Sequence, residues 1–255
     1  LRRSRGLGDV YKRQAYKYDF LNHILSFGID YYWRYCLAKK VKKLDPMTLM
    51  DLATGSGDVA FKLSDSLNSE CAITAADFCQ PMLDQARIKQ LKSKKYSNIT
   101  FQFGDAMHLD FEDNSFDVVT IAFGVRNFED RNKGLREILR TLKPKGSLFI
   151  LEFSQPNVWF KPFYFLYLKY ILPTIAGIIS RDKNAYQYLA GTIESFPSKE
   201  ALKSQLLEAG YSKVDAYGMT FSTVAIHHAI KQYSLIIGLP CRRPAGRSTI
   251  YLFSN

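Results

Sequence analysis

Residues 51–60 read Asp-Leu-Ala-Thr-Gly-Ser-Gly-Asp-Val-Ala and close a short apolar run, Thr48 to Leu52. Gly55 and Gly57 stand between that run and a stretch of helical spacing, Val59 to Leu67. Two glycines at such a junction let the backbone turn tightly and approach a bound molecule closely. A second apolar run, Ala72 to Ala76, ends at Asp77, whose carboxylate is placed to accept both hydroxyls of a ribose. Phe78 follows and is suited to pack on a purine face, although an ordinary core position explains it equally well. A third run, Ile99 to Phe103, ends in Gly104-Asp105-Ala106, where Asp105 can accept from an adenine amino group or simply form a turn. Together these residue types describe an adenosine site.

The spacing suits two ligand classes. Gly55-x-Gly57-x-x-Ala60 satisfies the dinucleotide pattern, in which a pyrophosphate sits on the N-terminus of the following helix. Asp58 occupies that entrance and would repel a phosphate. S-adenosylmethionine carries no phosphate, and its ammonium and sulfonium suit a loop bearing Asp51, Thr54 and Asp58. Asp58 is also an ordinary helix N-cap with either ligand. The electrostatics favours the methyl donor, with NAD as the alternative.

Positioning these residues requires alternating strands and helices. Thr48–Leu52, Ala72–Ala76, Ile99–Phe103, Phe116–Phe123 and Ser147–Phe153 read as strands. Helical segments follow Val59, Pro81 and Asn132, and Lys143-Pro144-Lys145-Gly146 forms a turn before the last strand. This order predicts an α/β fold with a doubly wound, mostly parallel sheet. Ser198 caps a helix that stops at Gly210. Val214–Tyr217 and Met219–Ile226 read as two strands around Gly218, an antiparallel pair at the sheet edge, with His227 and His228 as edge residues. An insertion at about 155–197 forms a helical cap over the strand ends. Its apolar part, Phe163 to Ile179, carries Lys169 and Pro173 and is too short to span a bilayer.

The net charge of +11 over 255 residues invites a nucleic-acid reading. Most of that charge is terminal: residues 1–14 carry +4 and residues 232–255 carry +3. The body, 15–231, is only mildly basic, so no nucleic-acid partner is expected. Gly8 to Gln14 resembles the translation of a sequencing adapter, and the stretch Pro240 to Arg247 lacks helical or strand period. Both terminal segments are therefore read as non-native sequence flanking one domain at 15–231, with a genuine basic arm the alternative for the first. The four cysteines, Cys36, Cys71, Cys79 and Cys241, form no C-x-x-C pair, which suits a reduced cytoplasmic compartment and no metal.

Several further motifs occur in order. They are Tyr18-Asp19-Phe20-Leu21-Asn22 running to Trp33, Phe123-Gly124-Val125-Arg126-Asn127-Phe128, Arg140 to Gly146 with Leu151-Glu152-Phe153-Ser154, and Asp182-Lys183-Asn184-Ala185-Tyr186-Gln187-Tyr188-Leu189. With them the chain resembles the C-methyltransferases of menaquinone and ubiquinone biosynthesis, the demethylmenaquinone methyltransferase group, over roughly 15–231. The resemblance implies a Rossmann-like class I methyltransferase and S-adenosylmethionine as donor. It carries cofactor contacts onto Ser56, Asp77, Asp105 and Ala106, and onto Ala122, where the family's usual serine hydroxyl is missing. It also implies C-methylation of a prenylated quinol, a naphthoquinol first and a benzoquinol as a second substrate. Such chemistry needs a base or a cation that stabilises the phenolate. Arg126 is the candidate cation, Asn127 would orient the ring oxygen, and Tyr186 and Tyr188 would line the ring pocket. The acceptor's isoprenoid tail suggests peripheral association with the inner face of the membrane. A homodimer is compatible with the sequence.

Overall fold

The computed structural model describes residues 26, 28–171 and 191–233. The expectations for Tyr18 to Asn22, for Tyr186 and Tyr188, for residues 1–14 and for nearly all of 232–255 fall outside that range.

Helix α1 (Asp30–Lys42) precedes the sheet. The alternating part follows as β1 (Thr48–Leu52), α2 (Asp58–Ser66), β2 (Ala72–Asp77), α3 (Gln80–Ser93), β3 (Ile99–Phe103) and β4 (Phe116–Ala122). A short 3-10 turn at Val125–Asn127 leads to α4 (Arg131–Thr141) and β5 (Leu142–Phe153). Then come α5 (Lys161–Leu166) with a π turn at Tyr167–Ile171, α6 (Lys199–Glu208), β6 (Tyr211–Met219) and β7 (Val224–Lys231).

The seven strands form one sheet in the order β3-β2-β1-β4-β5-β7-β6. Strands β3 to β5 run parallel, while β7 is antiparallel to both β5 and β6. This is the expected doubly wound sheet with an antiparallel C-terminal edge. Its order reverses between β1 and β4, and a crevice opens there at the strand C-termini. Burial on both faces explains the continuous apolar runs of β4 and β5, whose middle residues are almost wholly inaccessible. One core cluster packs α1, α2 and α3 on one face, and a second packs α4 and α6 on the other.

Local chemistry sets the helix starts. The Asp130 side chain accepts from the Lys133 N–H at the start of α4, and Ser198 accepts from the Ala201 N–H at the start of α6. Pro81 lies in the first turn of α3.

Three expectations need correction. Residues 143–146 do turn, but as a bulge inside β5: Phe116 pairs with Leu142 and Val118 already with Ser147. Gly218 does not divide the last two strands; it lies inside β6, paired with Ala225. A Cβ at Gly218 would come within 2.5 Å of Ser222 Oγ, so this glycine serves close approach. The turn itself is made by Thr220, Phe221 and Ser222, all with positive φ. Finally, β7 is an interior strand, so His227 and His228 are not edge residues. His227 is buried with Nε2 2.8 Å from the Lys199 carbonyl oxygen, and His228 stacks on Phe149.

Candidate active site

At the crevice, β1 ends in Asp51-Leu52 and the chain turns through Ala53, Thr54 and Gly55, with positive φ at Ala53 and Gly55. Across from it, Phe123 leaves β4 with φ 56°, and a Cβ on Gly124 would sit 2.6 Å from the Ala53 Cβ. Those two turns pass as close as side chains allow and form the floor of a cavity of about 360 Å³. Of the expected cofactor residues, Asp51, Thr54, Gly55, Asp77, Phe78, Asp105, Ala106 and Ala122 line it, as does Asn127.

Asp77 organises the loop. Its Oδ2 accepts from the Gly55 N–H and its Oδ1 from the Cys79 N–H, both at 2.8 Å. The carboxylate thus fixes the glycine turn at the end of β2 while remaining at the cavity wall. Phe78 and Phe103 line the same end of the cavity and are 46% and 62% exposed. Asp105 Oδ1 accepts from the Met107 N–H at 2.8 Å, a turn that also presents the carboxyl group at the rim.

Asp51 is buried at the other end. It accepts from the Thr54 hydroxyl at 2.6 Å and the Thr120 hydroxyl at 2.7 Å. Burial pushes its carboxyl up to about 6, with the nearby Asp77 charge adding to the rise and the two hydroxyls opposing it.

Two residues of the loop behave differently from expectation. Gly57 is not among the cavity-lining residues: it starts α2 with φ 86° and packs against Phe61 and Phe101. Its contribution is conformational. Ser56 is also buried away from the lining, and its hydroxyl accepts from Lys89 Nζ at 2.5 Å.

The electrostatic argument from Asp58 is overturned. Its Oδ2 lies 3.0 Å from Arg34 Nη1 and its Oδ1 2.7 Å from Lys89 Nζ. Burial raises its carboxyl, but these two cations outweigh that and leave it lowered overall. An acid already met by two cations does not by itself decide between a phosphate and an ammonium ligand.

Arg126 is buried rather than exposed on a loop. Its Nη1 contacts Glu152 Oε1 at 2.6 Å, and both side chains are 1% exposed. Its guanidinium carbon stands 5.3 Å from the Phe153 ring centre and 6.0 Å from that of Phe123. Phe123 lines the first cavity. Phe153 lines a second, apolar one of about 300 Å³, together with Trp33, Phe160, Phe163, Tyr164 and Ile193. Trp33, Phe123 and Phe153 pack together, so one aromatic cluster contributes to the walls of both cavities. Burial holds the Tyr164 phenol well above its ordinary value, and the Arg126 charge opposes this only weakly.

Sequence reasoning missed Arg34, Met82 and Phe103 on the wall of the first cavity, Lys89 beside Ser56 and Asp58, and Glu152 beside Arg126. Glu152 had a readable signal, because a lone acid inside the apolar run Ser147–Phe153 requires a buried partner. Lys89 had none, lying more than thirty residues from Asp58 in sequence. Among the described residues no group of three or more His, Cys, Asp or Glu could hold a metal.

A model of the ubiE/COQ5 methyltransferase family matches residues 2–231. A demethylmenaquinone methyltransferase of Chlorobaculum tepidum is 42% identical over 229 residues, covering 88% of this chain and 91% of that protein. The ubiquinone/menaquinone biosynthesis C-methyltransferase UbiE of Rickettsia felis is 39% identical, covering 88% and 92%. Among solved structures, a SAM-dependent methyltransferase from Aquifex aeolicus matches with a TM-score of 0.56 at 21% identity. That match covers 76% of this chain and 88% of the Aquifex chain, and at such identity it speaks to the fold.

Proposed function

The chain belongs to the ubiE/COQ5 methyltransferase family, and on that premise we propose that it transfers a methyl group from S-adenosylmethionine to a ring carbon of a prenylated quinol, demethylmenaquinol in the first place. The observation that carries this reading is the cavity at the sheet's switch point. It combines a ribose acid, Asp77, held in place by its own glycine loop with exposed aromatic faces at Phe78 and Phe103.

In this reading Asp77 accepts the ribose hydroxyls, Asp105 the adenine amino group, and Phe78 covers the purine. Ala106 and Ala122 complete the wall, Asp51 and Thr54 face the ammonium, and Ser56 and Gly57 hold the loop's shape. The sulfonium supplies the electrophile when the donor is bound, so the protein's task is alignment and charge. A quinol ring carbon becomes nucleophilic when the adjacent hydroxyl loses its proton. Arg126 stabilises that phenolate, directly or through a water, its charge held in place by Glu152. Asn127, at the cavity wall, orients the ring oxygen. Tyr164 stays protonated and serves as a hydrogen-bonding group. Tyr186 and Tyr188 are proposed for the ring pocket on sequence alone.

The second cavity takes the first part of the isoprenoid tail. Trp159, Phe163, Leu166 and Tyr170 follow helical spacing and are each more than half exposed. Lys161 and Lys169 flank this stripe, a composition suited to the interface of an anionic bilayer. Among the described residues no helix is long and apolar enough to cross a membrane. Sedimentation with anionic liposomes tests peripheral association; a protein that stays in the supernatant with and without quinone refutes it.

The main test is transfer of a labelled methyl group to a panel of demethylmenaquinol and methoxy-benzoquinol acceptors. The expected product is the C-methylated naphthoquinol. Absence of transfer to every quinol, or tight NAD binding, overturns the proposal.

A further inference from the structure

Arg34 belongs to α1, outside the glycine loop, yet it lines the same cavity as Asp51, Thr54 and Gly55. Its side chain is only 9% exposed. Nη1 is bonded to Asp58 at 3.0 Å, and Nη2 lies 3.5 Å from Asp30 Oδ2. Nε is buried with no hydrogen-bond partner among the described residues. A buried guanidinium N–H without an acceptor is unfavourable, and an arriving carboxylate would supply one in charge-assisted geometry. Arginine's fixed fork is well matched to that group.

The surrounding charges narrow the ligand. At this end of the cavity a guanidinium stands beside Asp51, an acid whose charge is gained only above about pH 6. A zwitterion with a carboxylate and an ammonium a few bonds apart answers both. The opposite end is the adenosine side, with Asp77, Phe78 and Asp105. We propose that Arg34 binds the α-carboxylate of the donor's methionyl group, with the α-ammonium turned to Asp51 and Thr54. This rests on the reading of S-adenosylmethionine as donor. A merely structural Arg34 would tie α1 to the start of α2 through Asp58 and take no part in recognition.

Discrimination between ligands separates the two roles. Calorimetry on the full chain would compare S-adenosylhomocysteine with its decarboxylated analogue and with 5′-methylthioadenosine, which lacks the amino-acid part. Wild type should prefer S-adenosylhomocysteine over the decarboxylated analogue by about 10- to 100-fold, the range for a hydrogen-bonded ion pair. In Arg34→Gln that preference should collapse to within about threefold, while 5′-methylthioadenosine binds as in wild type. If R34Q weakens all three ligands equally, or leaves the preference intact, Arg34 is structural and the assignment falls. Arg34→Lys, which keeps the charge on Asp58 but loses the fork, should show intermediate discrimination and reads the same quantity should R34Q not fold. A wild type that binds no S-adenosylhomocysteine refutes the donor itself; one that binds it without preferring the carboxylate refutes only the role of Arg34.

Discussion

Arg126 Nη1 lies 2.6 Å from Glu152 Oε1, and neither side chain reaches solvent to more than 1%. Glu152 Oε1 also accepts from the Phe153 N–H, so the pair is built into the end of β5. Removing one partner leaves a buried charge, which costs about 3–5 kcal/mol. Arg126→Ala should therefore unfold at markedly lower urea than wild type, in addition to any loss of turnover. Loss of turnover in this variant alone is uninformative for that reason. The double variant Arg126→Gln with Glu152→Gln should recover much of the stability, because both charges leave together. If Arg126 stabilises the phenolate, the double variant stays slow while binding S-adenosylhomocysteine normally. Recovery of kcat along with stability would make the pair purely structural.

Asp51 gives a pH dependence. Its folded carboxyl sits at about 6 against an ordinary 3.8, because burial disfavours its charge. A raised folded value means that the native state holds the proton more tightly than the unfolded chain. The resulting stability is full below about pH 4 and is lost as pH rises through about 6. Binding a cationic ammonium has the opposite sense, since it favours the ionised form. Affinity for S-adenosylhomocysteine should be flat above that point and fall by up to about tenfold per pH unit below it. Asp51→Asn should bind more weakly at neutral pH and lose this slope. Titrations between pH 5 and 8 check both, and a slope surviving in D51N would assign it to another group.

The parallel order, the switch point and most of the cavity wall there were legible in the sequence because they are local. A strand end, a glycine turn and an acid at the next strand end are each read within a few residues, and the fold then superposes them. What escaped depended on distance. Asp58 was read from its own position as an acid that repels a phosphate at the helix entrance, but α1 brings Arg34 and α3 brings Lys89 onto it. Arg126 was read from its loop, but β5 carries Glu152 against it. Gly218 was taken for a turn because glycine most often marks one, whereas here it makes room for Ser222.

Asp77 has an observed duty in the loop and a proposed one toward the ligand, and two substitutions separate them. Both oxygens are engaged by backbone N–H groups, from Gly55 and Cys79. Asp77→Ala leaves those donors without acceptors, at about 1–3 kcal/mol in stability, and also removes the proposed ribose contact. It should lower affinity for S-adenosylhomocysteine by about 100-fold or more, since two charge-assisted bonds are worth at least about 3 kcal/mol. Asp77→Asn keeps one acceptor for the loop and should melt nearer to wild type while still binding poorly. Normal binding by D77N would show that Asp77 shapes the loop without meeting the ligand.

The two loop glycines should fail in different ways. Both have positive φ, 59° at Gly55 and 86° at Gly57, so alanine costs about 1–2 kcal/mol of backbone strain at either. At Gly55 the added methyl meets only the mobile end of Met82, 3.3 Å away, but it projects at the cavity wall. At Gly57 it meets the Phe61 and Phe101 rings at 3.0 and 3.1 Å, which adds overpacking of about 1–3 kcal/mol inside the core. Gly57→Ala should therefore show the larger drop in denaturation midpoint, with the folded fraction still able to bind. Gly55→Ala should keep most of its stability and lose affinity for S-adenosylhomocysteine. The reverse pattern would mean that Gly57 meets the ligand and that Gly55 only completes the turn.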